Sequence, residues 1–527
     1  MFKVLISDPL SKSGIQQLLD APDVEVVQNT NLSPDDLLAV IGEYDALLVR
    51  SQTKVTAEVL KAGKRLKAIG RAGVGVDNID LNAATEAGII VINAPEGNTL
   101  SAAEHTFAML MAVSRNIPQA YKKLSEGIWD RKSFQGVELN NKTLGVVGMG
   151  RIGTEVAKRA KAFNMHVIGY DPFLTEERAK KLGVVCGSVE DIVTEADFIT
   201  VHTPLTKETH HLLGAAEFAK MKDGVRIINC ARGGIIDEKA LYDAIQNGKV
   251  AGAALDVFEE EPPVDNPLIK LPQVVTTPHL GASTVEAQEN VAIDVSEELI
   301  KVLRGERFKN AVNLPFIPPH VMERVEPYFV LGEKLGRFIA QLSVGPVQEI
   351  TITYSGELAD VDTALLTRTI LKGALSFRIG PEVNYVNALY LAKMREINVV
   401  EQKSSQSRGF TNRLKVEFKT STQSHVVAGT LLNGYGARIV KIDDYTIDAA
   451  PEGNLLYVHH NDRPGVIGRV GTILGNKDVN IGTMQVGRRG VGGDAIMLLT
   501  VDKQLSPEMV EELVALPEIM SVTPIEL

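Results

Sequence analysis

One stretch, residues 143–171, constrains the fold of this chain more than any other. An apolar, β-branched run leads into the spacing Gly148-x-Gly150-x-x-Gly153, a helical pattern and a second strand pattern follow, and Asp171 ends that second strand. These glycines permit a tight turn, a close approach of the backbone to a pyrophosphate, and close packing of helix on strand. Free N–H groups at the start of a helix favour an anion. The stretch therefore predicts a strand–helix–strand unit that binds a dinucleotide.

The end of the second strand distinguishes between the two nicotinamide cofactors. Asp171 stands 18 residues after the third glycine, where a carboxylate can accept hydrogen bonds from both ribose hydroxyls of NAD. Pro172 and Phe173 come next, rather than an arginine that could hold a 2′-phosphate. The sequence thus predicts NAD, in preference to NADP, as the cofactor.

Composition excludes several classes of partner. The chain has 527 residues, enough for three or four domains, and 44% of them are hydrophobic. Its formal net charge is −11, aromatic residues make up 5%, and no long basic run occurs. Nothing in this balance attracts nucleic acid or an anionic membrane surface. We therefore expect neither partner, and we expect local arginines to hold any anionic substrate.

Cysteine and histidine spacing bears on compartment and metal content. Cys186 and Cys230 are widely separated, which suits a reducing compartment and excludes a disulfide framework. The N-terminus has the pattern of a first strand rather than a signal peptide, and no apolar run reaches membrane length. The histidine pairs 210–211 and 459–460 have no third ligand spaced to complete a metal site. We expect a cytoplasmic protein without a metal.

The order of the elements predicts the fold. Residues 2–100 alternate strand and helix signals, as in an open parallel sheet. Ser101 and Glu104 form a capping-box pattern that predicts a helix from Ser101 to about Val113, crossing into the next domain. Further buried strands follow the fingerprint, and each ends in a loop with polar or charged residues. Such loops lie beyond the carboxyl ends of parallel strands, where ligands bind.

The second half of the chain has a different pattern. A long helix covers about 284–304, and a proline-rich linker follows it. Residues 320–450 mix helices, the first over 324–342, with strand pairs, and show no constellation of chemically reactive residues. The last 75 or so residues give strand, helix, strand, strand, helix, strand, which is the split βαβ arrangement. The predicted class is α/β, with two doubly wound parallel-sheet domains of Rossmann or flavodoxin-like type, an α+β domain and a ferredoxin-like βαββαβ domain.

Three positions after strands have the side chains that an NAD-linked alcohol oxidation needs. Arg232 can bind a carboxylate through two hydrogen bonds, His279 can exchange a proton, and Glu261 can pair with the imidazolium. Each also has a simpler interpretation. The arginine can be a surface charge, the glutamates 259–261 a solvated acidic turn, and the histidine a structural residue.

These segments, together with the fingerprint and Asp171, resemble the D-isomer-specific 2-hydroxyacid dehydrogenases from residue 3 to about 310. The resemblance implies that His279 is the acid/base, Glu261 its partner, and Arg232 the residue that holds the substrate carboxylate and polarises its carbonyl. We choose Glu261 among the three adjacent glutamates because the acid of this family immediately precedes a proline.

The resemblance also implies a set of ligand contacts. The implied cofactor contacts are Gly148, Gly150, Arg151, Ile152, Gly153, Asp171, Thr203, Cys230, Ala231, Arg232, Asp256, His279, Gly281 and Ala282. The implied substrate contacts are Arg50, Ser51, Gly73, Val74, Asn98 and Arg131, the last contributed across a dimer.

Within this family, the chain is most similar to the long form that oxidises 3-phospho-D-glycerate to 3-phosphohydroxypyruvate, the first step of phosphorylated L-serine biosynthesis. That similarity implies a substrate-binding domain made of residues 1–100 and 286–312, an NAD-binding domain over 101–285, an intervening allosteric domain over 317–450 and an ACT domain over 455–527. It also implies a homo-oligomer, and we expect a tetramer.

The segment from His460 to Val466 fits the ACT pattern of a strand followed by an Asp-x-Pro-Gly turn. By resemblance, His460, Asp462 and Asn480 are candidate ligands of L-serine at an interface between ACT domains. One departure is that His460 stands where serine-regulated relatives can carry tyrosine. The alternative is an ACT domain that serves only assembly.

Two other functions fit the same motifs. A glyoxylate or hydroxypyruvate reductase of the same family would share every catalytic residue. Some relatives are NAD-sensing corepressors rather than metabolic enzymes, and these also retain the three residues. The C-terminal ACT pattern and the anion-binding positions favour the phosphoglycerate-oxidising form over both.

Overall fold

The computed structural model describes residues 1–527, and the N-terminal part forms a parallel sheet. Its strands are β1 (Phe2–Ile6), β2 (Val24–Gln28), β3 (Ala46–Val49), β4 (Ala68–Arg71) and β5 (Ile90–Asn93). The helices are α1 (Gln16–Asp20), α2 (Pro34–Val40), α3 (Ala57–Ala62) and α4 (Leu81–Glu86). The strand order is β2-β1-β3-β4-β5, with every pair parallel. Every residue of the central β3 is buried, as is typical of a parallel sheet covered on both faces.

A second parallel sheet follows two helices, α5 (Thr99–Arg115) and α6 (Ile117–Ser125). Its strands are β6 (Thr143–Val147), β7 (His166–Tyr170), β8 (Val185–Cys186), β9 (Phe198–Val201), β10 (Val225–Asn229), β11 (Val250–Leu255) and β12 (Val274–Thr276). The helices among them are α7 (Arg151–Ala162), α8 (Glu176–Leu182), α9 (Val189–Glu195), α10 (Ala215–Lys220) and α11 (Glu238–Gln246). The order β12-β11-β10-β9-β6-β7-β8 reverses direction between β6 and β9, and a crevice for a ligand opens at such a point.

The long helix α12 (Val285–Arg304) returns the chain to the first sheet. Its residues Val295 and Leu299 lie in the same hydrophobic cluster as Val4 and Ile6. Beyond the helix, the Val312 N–H donates to the Val91 carbonyl of β5. The first sheet is therefore completed by a segment that comes long after β5 in the sequence, beyond the whole of the second sheet.

The third sheet is mixed. Its strands are β13 (Val347–Gly356), β14 (Asn398–Ser404), β15 (Asn412–Thr420), β16 (Ser424–Leu432), β17 (Gly436–Ile442) and β18 (Tyr445–Ala449), in the order β14-β13-β15-β16-β17-β18. The helices are α13 (Pro319–Val325), α14 (Phe329–Leu342), α15 (Ala364–Ile379) and α16 (Ala388–Met394). The single helix predicted over 324–342 is wrong. A 3₁₀ turn, Glu326–Tyr328, separates α13 from α14, because Pro327 has no N–H to continue the α-helical hydrogen bonds.

The C-terminal sheet has the predicted order of elements. They are β19 (Asn454–Asn461), α17 (Val466–Asn476), β20 (Ile481–Arg488), β21 (Asp494–Val501), α18 (Pro507–Val514) and β22 (Ile519–Glu526). The antiparallel order is β20-β21-β19-β22. Tyr457 and Ile496 of this sheet share one hydrophobic cluster with Ile439 and Tyr445 of the third sheet. The two C-terminal sheets are therefore packed against each other.

The four sheets confirm the predicted α/β class, with two parallel sheets followed by a mixed sheet and a βαββαβ unit. The capping box predicted at Ser101 is wrong. Helix α5 begins at Thr99 with Asn98 as its N-cap and has no side-chain capping bond. The Ser101 hydroxyl donates instead to the Gly281 carbonyl, at 2.8 Å. No helix has the length and apolar character needed to cross a membrane.

Candidate active site

The candidate site lies where the carboxyl ends of the two parallel sheets face each other. Arg50 follows β3 and Arg71 ends β4 of the first sheet, whereas Arg232 follows β10 and His279 follows β12 of the second. An ion pair across the two sheets, from Arg232 Nε to Asp77 Oδ2 at 3.1 Å, brings these ends together. The site is therefore assembled from both parallel sheets.

A histidine–carboxylate pair lies on the side of the second sheet. His279 Nδ1 lies 2.8 Å from Glu261 Oε2, and half of the histidine side chain is exposed. Because a carboxylate only accepts hydrogen bonds, Nδ1 carries the proton in this pair and Nε2 is the nitrogen left for a substrate. The backbone of His279 has φ 55°, in the left-handed region. Such a conformation costs roughly 1–3 kcal/mol and occurs preferentially at functional sites.

The partial burial of Glu261 has two opposing effects on its charge. Burial raises the pKa of this carboxyl, but the hydrogen bond from His279 and the Phe258 N–H lower it, and the net pKa lies below the ordinary value. Glu261 is consequently ionised at any pH above about 4.5. The pair can fix the imidazole tautomer and stabilise the protonated ring.

The loop that follows β10 orients Arg232. The Asn229 side-chain amide donates to the Arg232 carbonyl at 2.9 Å, and its oxygen accepts the Ala231 N–H at 3.0 Å. Asn229 itself is buried. On the opposite wall, a Cβ placed on Gly75 would lie 1.9 Å from Arg232 Nη2. A side chain at position 75 would therefore displace this guanidinium, which is 29% exposed and available to an anion.

Two more arginines lie beside Arg232. Burial, followed by the nearby charge of Arg232, lowers the pKa of Arg71 to about 10, and Arg50 also contributes to this shift. The Arg71 Nε is buried without a hydrogen-bond partner. Three guanidinium groups converge here, with Asp77 and Asp8 as the nearby carboxylates that oppose the shift. A ligand with more than one negative group suits this cluster.

Asp8 supports the loop that holds Arg50. Its buried carboxylate accepts the N–H groups of Arg50 at 2.6 Å and Thr53 at 3.1 Å, as well as the Thr53 hydroxyl at 2.5 Å. The Asn78 amide donates to the Arg50 carbonyl at 2.9 Å. Sequence reasoning identified Arg50 and Ser51 but missed Asp8, Asn78 and Arg71. Their partners are distant in the chain, so only the strand-end position of Arg71 offered a signal.

The fingerprint forms a backbone cradle at the start of α7. Gly148 has φ 98°, and a Cβ there would lie 2.7 Å from the His202 carbonyl carbon. A Cβ on Gly153 would lie 2.0 Å from the Gly148 oxygen, whereas a Cβ on Gly150 would meet no atom within 4 Å. The first and third glycines thus serve the turn and the packing, and the second faces open space where a pyrophosphate fits.

Asp171 stands beside this cradle. Its Oδ2 accepts the Met149 N–H at 3.0 Å, and its Oδ1 accepts the Phe173 N–H at 2.9 Å. These bonds fix the carboxylate next to the glycine turn, and each oxygen keeps a lone pair for a ribose hydroxyl. The residues present therefore fit NAD.

The other predicted cofactor residues lie around the same crevice. The Thr203 hydroxyl is buried without a partner, and Arg151, the first residue of α7, pairs with Glu96 at 3.2 Å. Burial raises the pKa of Cys230, so this thiol stays protonated. The Asp256 carboxylate is fully buried and accepts the Gly281 N–H at 2.8 Å. Direct contact of each of these residues with NAD remains a prediction.

The remaining substrate candidates differ in position. Gly73 has φ 152°, and a Cβ there would lie 1.6 Å from Arg71 Nη1, so it belongs to the arginine cluster. The Val74 carbonyl accepts the Asn93 amide at 2.6 Å. The Asn98 side-chain oxygen is buried without a partner at the start of α5. Arg131 lies on the exposed segment between α6 and β6, and its role across a dimer remains a prediction.

The predicted effector residues lie at opposite ends of the C-terminal sheet, with His460 and Asp462 beside the start of β21 and Asn480 beside its end at Val501. His460 is 1% exposed, and its Nε2 is buried without a partner. Asp462 Oδ2 accepts hydrogen bonds from Arg488 at 3.4 Å and from the Gly492 N–H at 3.3 Å. Asn480 is exposed immediately before β20. The orphaned His460 nitrogen and the partly engaged Asp462 fit a small polar ligand, whose binding remains a prediction.

Sequence reasoning missed a basic recess between the third and fourth sheets. Arg489 comes from the β20–β21 turn, pairs with Asp444, and lies 5.2 Å from the centre of the Tyr445 ring. The other basic residues of the recess are Arg408 from the β14–β15 loop, Arg413 and Lys415 on β15, and Lys441 on β17. These segments are separated in the sequence, so no single local motif predicts the recess.

Comparison with known proteins agrees with this architecture. Residues 107–281 match the family model of the D-isomer specific 2-hydroxyacid dehydrogenase NAD binding domain. Residues 324–443 match the D-3-phosphoglycerate dehydrogenase intervening domain, and residues 454–518 match the ACT domain. The chain therefore carries the NAD-binding domain of this dehydrogenase family.

Two similar solved structures each match somewhat more than half of this chain. The TT0316 protein of Thermus thermophilus is 37% identical with a TM-score of 0.54, and the match covers 59% of this chain and 99% of that one. A D-lactate dehydrogenase from Aquifex aeolicus, complexed with NAD and lactic acid, is 31% identical with a TM-score of 0.52, covering 58% and 96%.

Full-length relatives have the same extent as this chain. The D-3-phosphoglycerate dehydrogenase of Bacillus subtilis is 50% identical over 527 residues, covering 100% of both chains. The enzyme of the same name from Methanocaldococcus jannaschii is 47% identical over 528 residues, again covering 100% of both. With these identities over its whole length, the chain belongs to the D-3-phosphoglycerate dehydrogenase family.

Proposed function

We propose that this chain oxidises 3-phospho-D-glycerate to 3-phosphohydroxypyruvate with NAD, the first step of phosphorylated L-serine biosynthesis. The observation that carries the proposal is the convergence of Arg50, Arg71 and Arg232 opposite the His279–Glu261 pair. The substrate has a carboxylate and a phosphate at opposite ends of three carbons. One reacting hydroxyl between two anionic groups is the chemistry that this site can hold.

Each side chain of the site has a separate role in the proposed reaction. Arg232 binds the carboxylate and draws electron density from the carbonyl that forms at C2. Unprotonated Nε2 of His279 takes the C2 hydroxyl proton, and Glu261 stabilises the imidazolium that results. Bound NAD supplies the acceptor for the C2 hydride. Arg50 and Arg71 bind the phosphate, which fixes the C2 hydroxyl relative to His279.

NADH absorbance in the oxidative direction tests the proposal. The assay contains 3-phospho-D-glycerate, NAD and a reagent that traps the ketone product. Formation of NADH is the expected result. Absence of NADH here, with oxidation of NADH when glyoxylate or hydroxypyruvate is supplied, would instead identify a reductase of the same family. Specific retention of a protein partner without turnover of any of these compounds would favour the corepressor.

Glu261→Gln is expected to lower kcat about 10²-fold, because the amide cannot stabilise the His279 imidazolium. The folded-state pKa of Glu261 is lowered, so its stabilising charge is present above about 4.5 and is lost only as pH falls further. The ratio of wild-type to variant kcat should therefore be constant from about pH 8 to 9, where an ordinary imidazole is unprotonated. A ratio near one in this range would mean that the charge of Glu261 does not assist the proton transfer.

Asp171→Asn is expected to reduce the preference for NAD over NADP by about 10-fold or more, because it removes a charge that accepts ribose hydrogen bonds and repels a 2′-phosphate. The amide oxygen can still accept one of the two backbone N–H bonds that hold the side chain. The measurement is the ratio of kcat/KM for the two cofactors. An unchanged ratio would mean that Asp171 does not contact the ribose.

We infer that L-serine inhibits the enzyme by binding at an interface between two ACT domains, with His460 and Asp462 from one domain and Asn480 from the other. Asp462→Ala removes a carboxylate that can bind the serine ammonium group, and should raise the serine concentration for half-inhibition about 10-fold or more. Inhibition curves for wild type and variant provide the measurement. A wild-type enzyme that is insensitive to serine would leave the ACT domain with a role in assembly alone.

We further propose a homotetramer in the cytoplasm. Helix α6 has no buried residue, and its surroundings expose large apolar side chains, which are Ile117, Tyr121, Leu124, Ile128 and Trp129. An apolar surface of this kind supports an interface between subunits.

We assign residues 1–100 and 286–312 to the substrate domain, 101–285 to the NAD domain, 317–450 to the intervening domain and 455–527 to the ACT domain. The packing of α12 on the first sheet supports the discontinuous substrate domain.

A further inference from the structure

Helix α5 presents two polar side chains, one turn apart, to the loop that carries His279. Ser101 and His105 are four residues apart and therefore lie on one face of the helix. The Ser101 hydroxyl donates to the Gly281 carbonyl at 2.8 Å. His105 Nε2 lies 3.1 Å from Thr277 Oγ1 and 3.2 Å from Asp256 Oδ1. Neither residue has a part in the mechanism described above.

The direction of these hydrogen bonds follows from what each group can donate. The Thr277 hydroxyl donates to Asp256 Oδ1 at 2.6 Å, because an ionised carboxylate can only accept. The single hydroxyl hydrogen is thereby used, so His105 Nε2 must be the donor toward Thr277. The same N–H is shared with Asp256 Oδ1. His105 thus delivers one N–H to the hydroxyl and carboxylate together.

Asp256 accepts the hydrogen bonds that hold the backbone of the His279 loop. Its fully buried carboxylate accepts the N–H of Leu280 at 2.7 Å and that of Gly281 at 2.8 Å, while its backbone carbonyl accepts the His279 N–H at 2.9 Å. A buried carboxylate is tolerated only when hydrogen bonds compensate for lost hydration. Thr277 supplies part of that compensation from the start of the same loop, and His105 supplies part of it from α5.

The packing of α5 restrains the position of His105. The helix begins at Thr99, close to the end of the first sheet at Asn93, and packs against β11, β12 and α7 of the second sheet. His105 is 20% exposed and therefore constrained by its surroundings. A movement of its imidazole would be passed through Asp256 to the backbone of His279.

We propose that His105 is a positioning residue for His279. Its Nε2–H holds the Asp256 carboxylate and Thr277, which in turn hold the backbone of residues 279–281 in the left-handed turn that directs the His279 side chain toward Glu261. The inference deepens the proposed function and rests on the role assigned there to His279.

The test compares three variants of the full-length enzyme with wild type. His105→Leu removes the donor, and His105→Gln offers an amide N–H in its place. His166→Leu is the matched control, because His166 is exposed at the opposite, amino end of β7. His105→Leu should lower kcat about 10²-fold, the effect of a small misplacement of a catalytic group. The KM for the phosphorylated acid should remain near the wild-type value, since the arginines that bind it are on other loops.

Rescue separates positioning from a general structural role. His105→Gln should recover most of the lost kcat, and His166→Leu should behave as wild type. A His105→Leu enzyme with wild-type kcat would overturn the proposal. So would a glutamine variant that is as slow as the leucine variant although it melts at the wild-type temperature.

A second variant and the choice of substrate ensure that the experiment can contradict the proposal. If His105→Leu does not fold, Thr277→Val removes the bridging hydroxyl at nearly constant volume, and the same fall in kcat is expected; a wild-type kcat would contradict the proposal. All variants are assayed with whichever 2-hydroxy or 2-keto acid the wild type converts. A wild type inactive on 3-phospho-D-glycerate but active on glyoxylate would refute the substrate assignment. The kcat values of the His105 variants and wild type would then be compared with glyoxylate as the substrate.

Discussion

His279→Gln is expected to reduce kcat by roughly 10²–10⁴-fold, the range for loss of a general acid–base group. Glutamine keeps a polar side chain of similar reach, but it cannot take up the C2 hydroxyl proton. NADH affinity should fall by less than about tenfold, because His279 is one of many predicted cofactor contacts and the glycine turn and Asp171 are unchanged. The measurements are steady-state kcat with 3-phospho-D-glycerate and NADH binding by fluorescence.

The control for this experiment is His166→Gln, which makes the same replacement at an exposed position on the far end of β7. It should retain wild-type kcat. A His279→Gln enzyme within about tenfold of wild type would mean that another group moves the proton. Loss of NADH binding in that variant would mean that the loop, rather than the imidazole, had been damaged.

Arg232→Lys is the second large effect we expect. A lysine keeps the positive charge but loses the planar pair of donors that binds a carboxylate through two hydrogen bonds. Each hydrogen bond to a charged group contributes about 1.5–3 kcal/mol. Loss of one or both should lower kcat/KM for the substrate by roughly 10²–10³-fold. The ion pair with Asp77 should weaken as well, since it uses the Arg232 Nε.

Arg226→Lys is the matched control. Arg226 lies on β10, the strand that leads to Arg232, but near its amino end, where it donates to the Gly224 carbonyl at 3.3 Å. The control should leave kcat/KM within about threefold of wild type, as expected for a substitution away from the site. An Arg232→Lys enzyme as active as this control would remove Arg232 from substrate binding.

Local pattern was sufficient to predict most of the strands and the fingerprint turn. The alternation of strand and helix signals over residues 2–100, and the buried strands after the fingerprint, predicted the two parallel sheets, because each element is specified by its own sequence. The placement of Arg232 and His279 at one edge of the second sheet also followed from local information. Carboxyl ends of parallel strands meet at one edge, so residues just beyond them become neighbours.

Contacts between distant segments could not be predicted in this way. Asp77 and Arg232 are separated by 155 positions, and His105 and Thr277 by 172. Nothing in either member of a pair indicates the other. At Ser101, a distant contact replaced the interaction that the local pattern predicted. The spacing of this serine to Glu104 satisfied a local rule for a helix cap, but a carbonyl from the loop after β12 bound its hydroxyl instead.

In the C-terminal half, the basic recess forms only when distant segments pack together. The basic recess is built from Arg408 and side chains of β15 and β17, together with Arg489 from the β20–β21 turn. Tyr457 and Ile496 bury one face of that sheet against the third sheet. The predicted order of strands and helices did not indicate which surface would cover that face.

The central claim is that the site recognises a phosphorylated 2-hydroxy acid. The most direct test is a matched pair of substrates, 3-phospho-D-glycerate and D-glycerate, which differ only in the phosphate. If Arg50 and Arg71 bind that group, kcat/KM should be at least about 10²-fold higher for the phosphorylated acid, the value of one or two charge-assisted hydrogen bonds. Equal kcat/KM values for the two acids, or a higher value for glyoxylate reduction, would contradict the account.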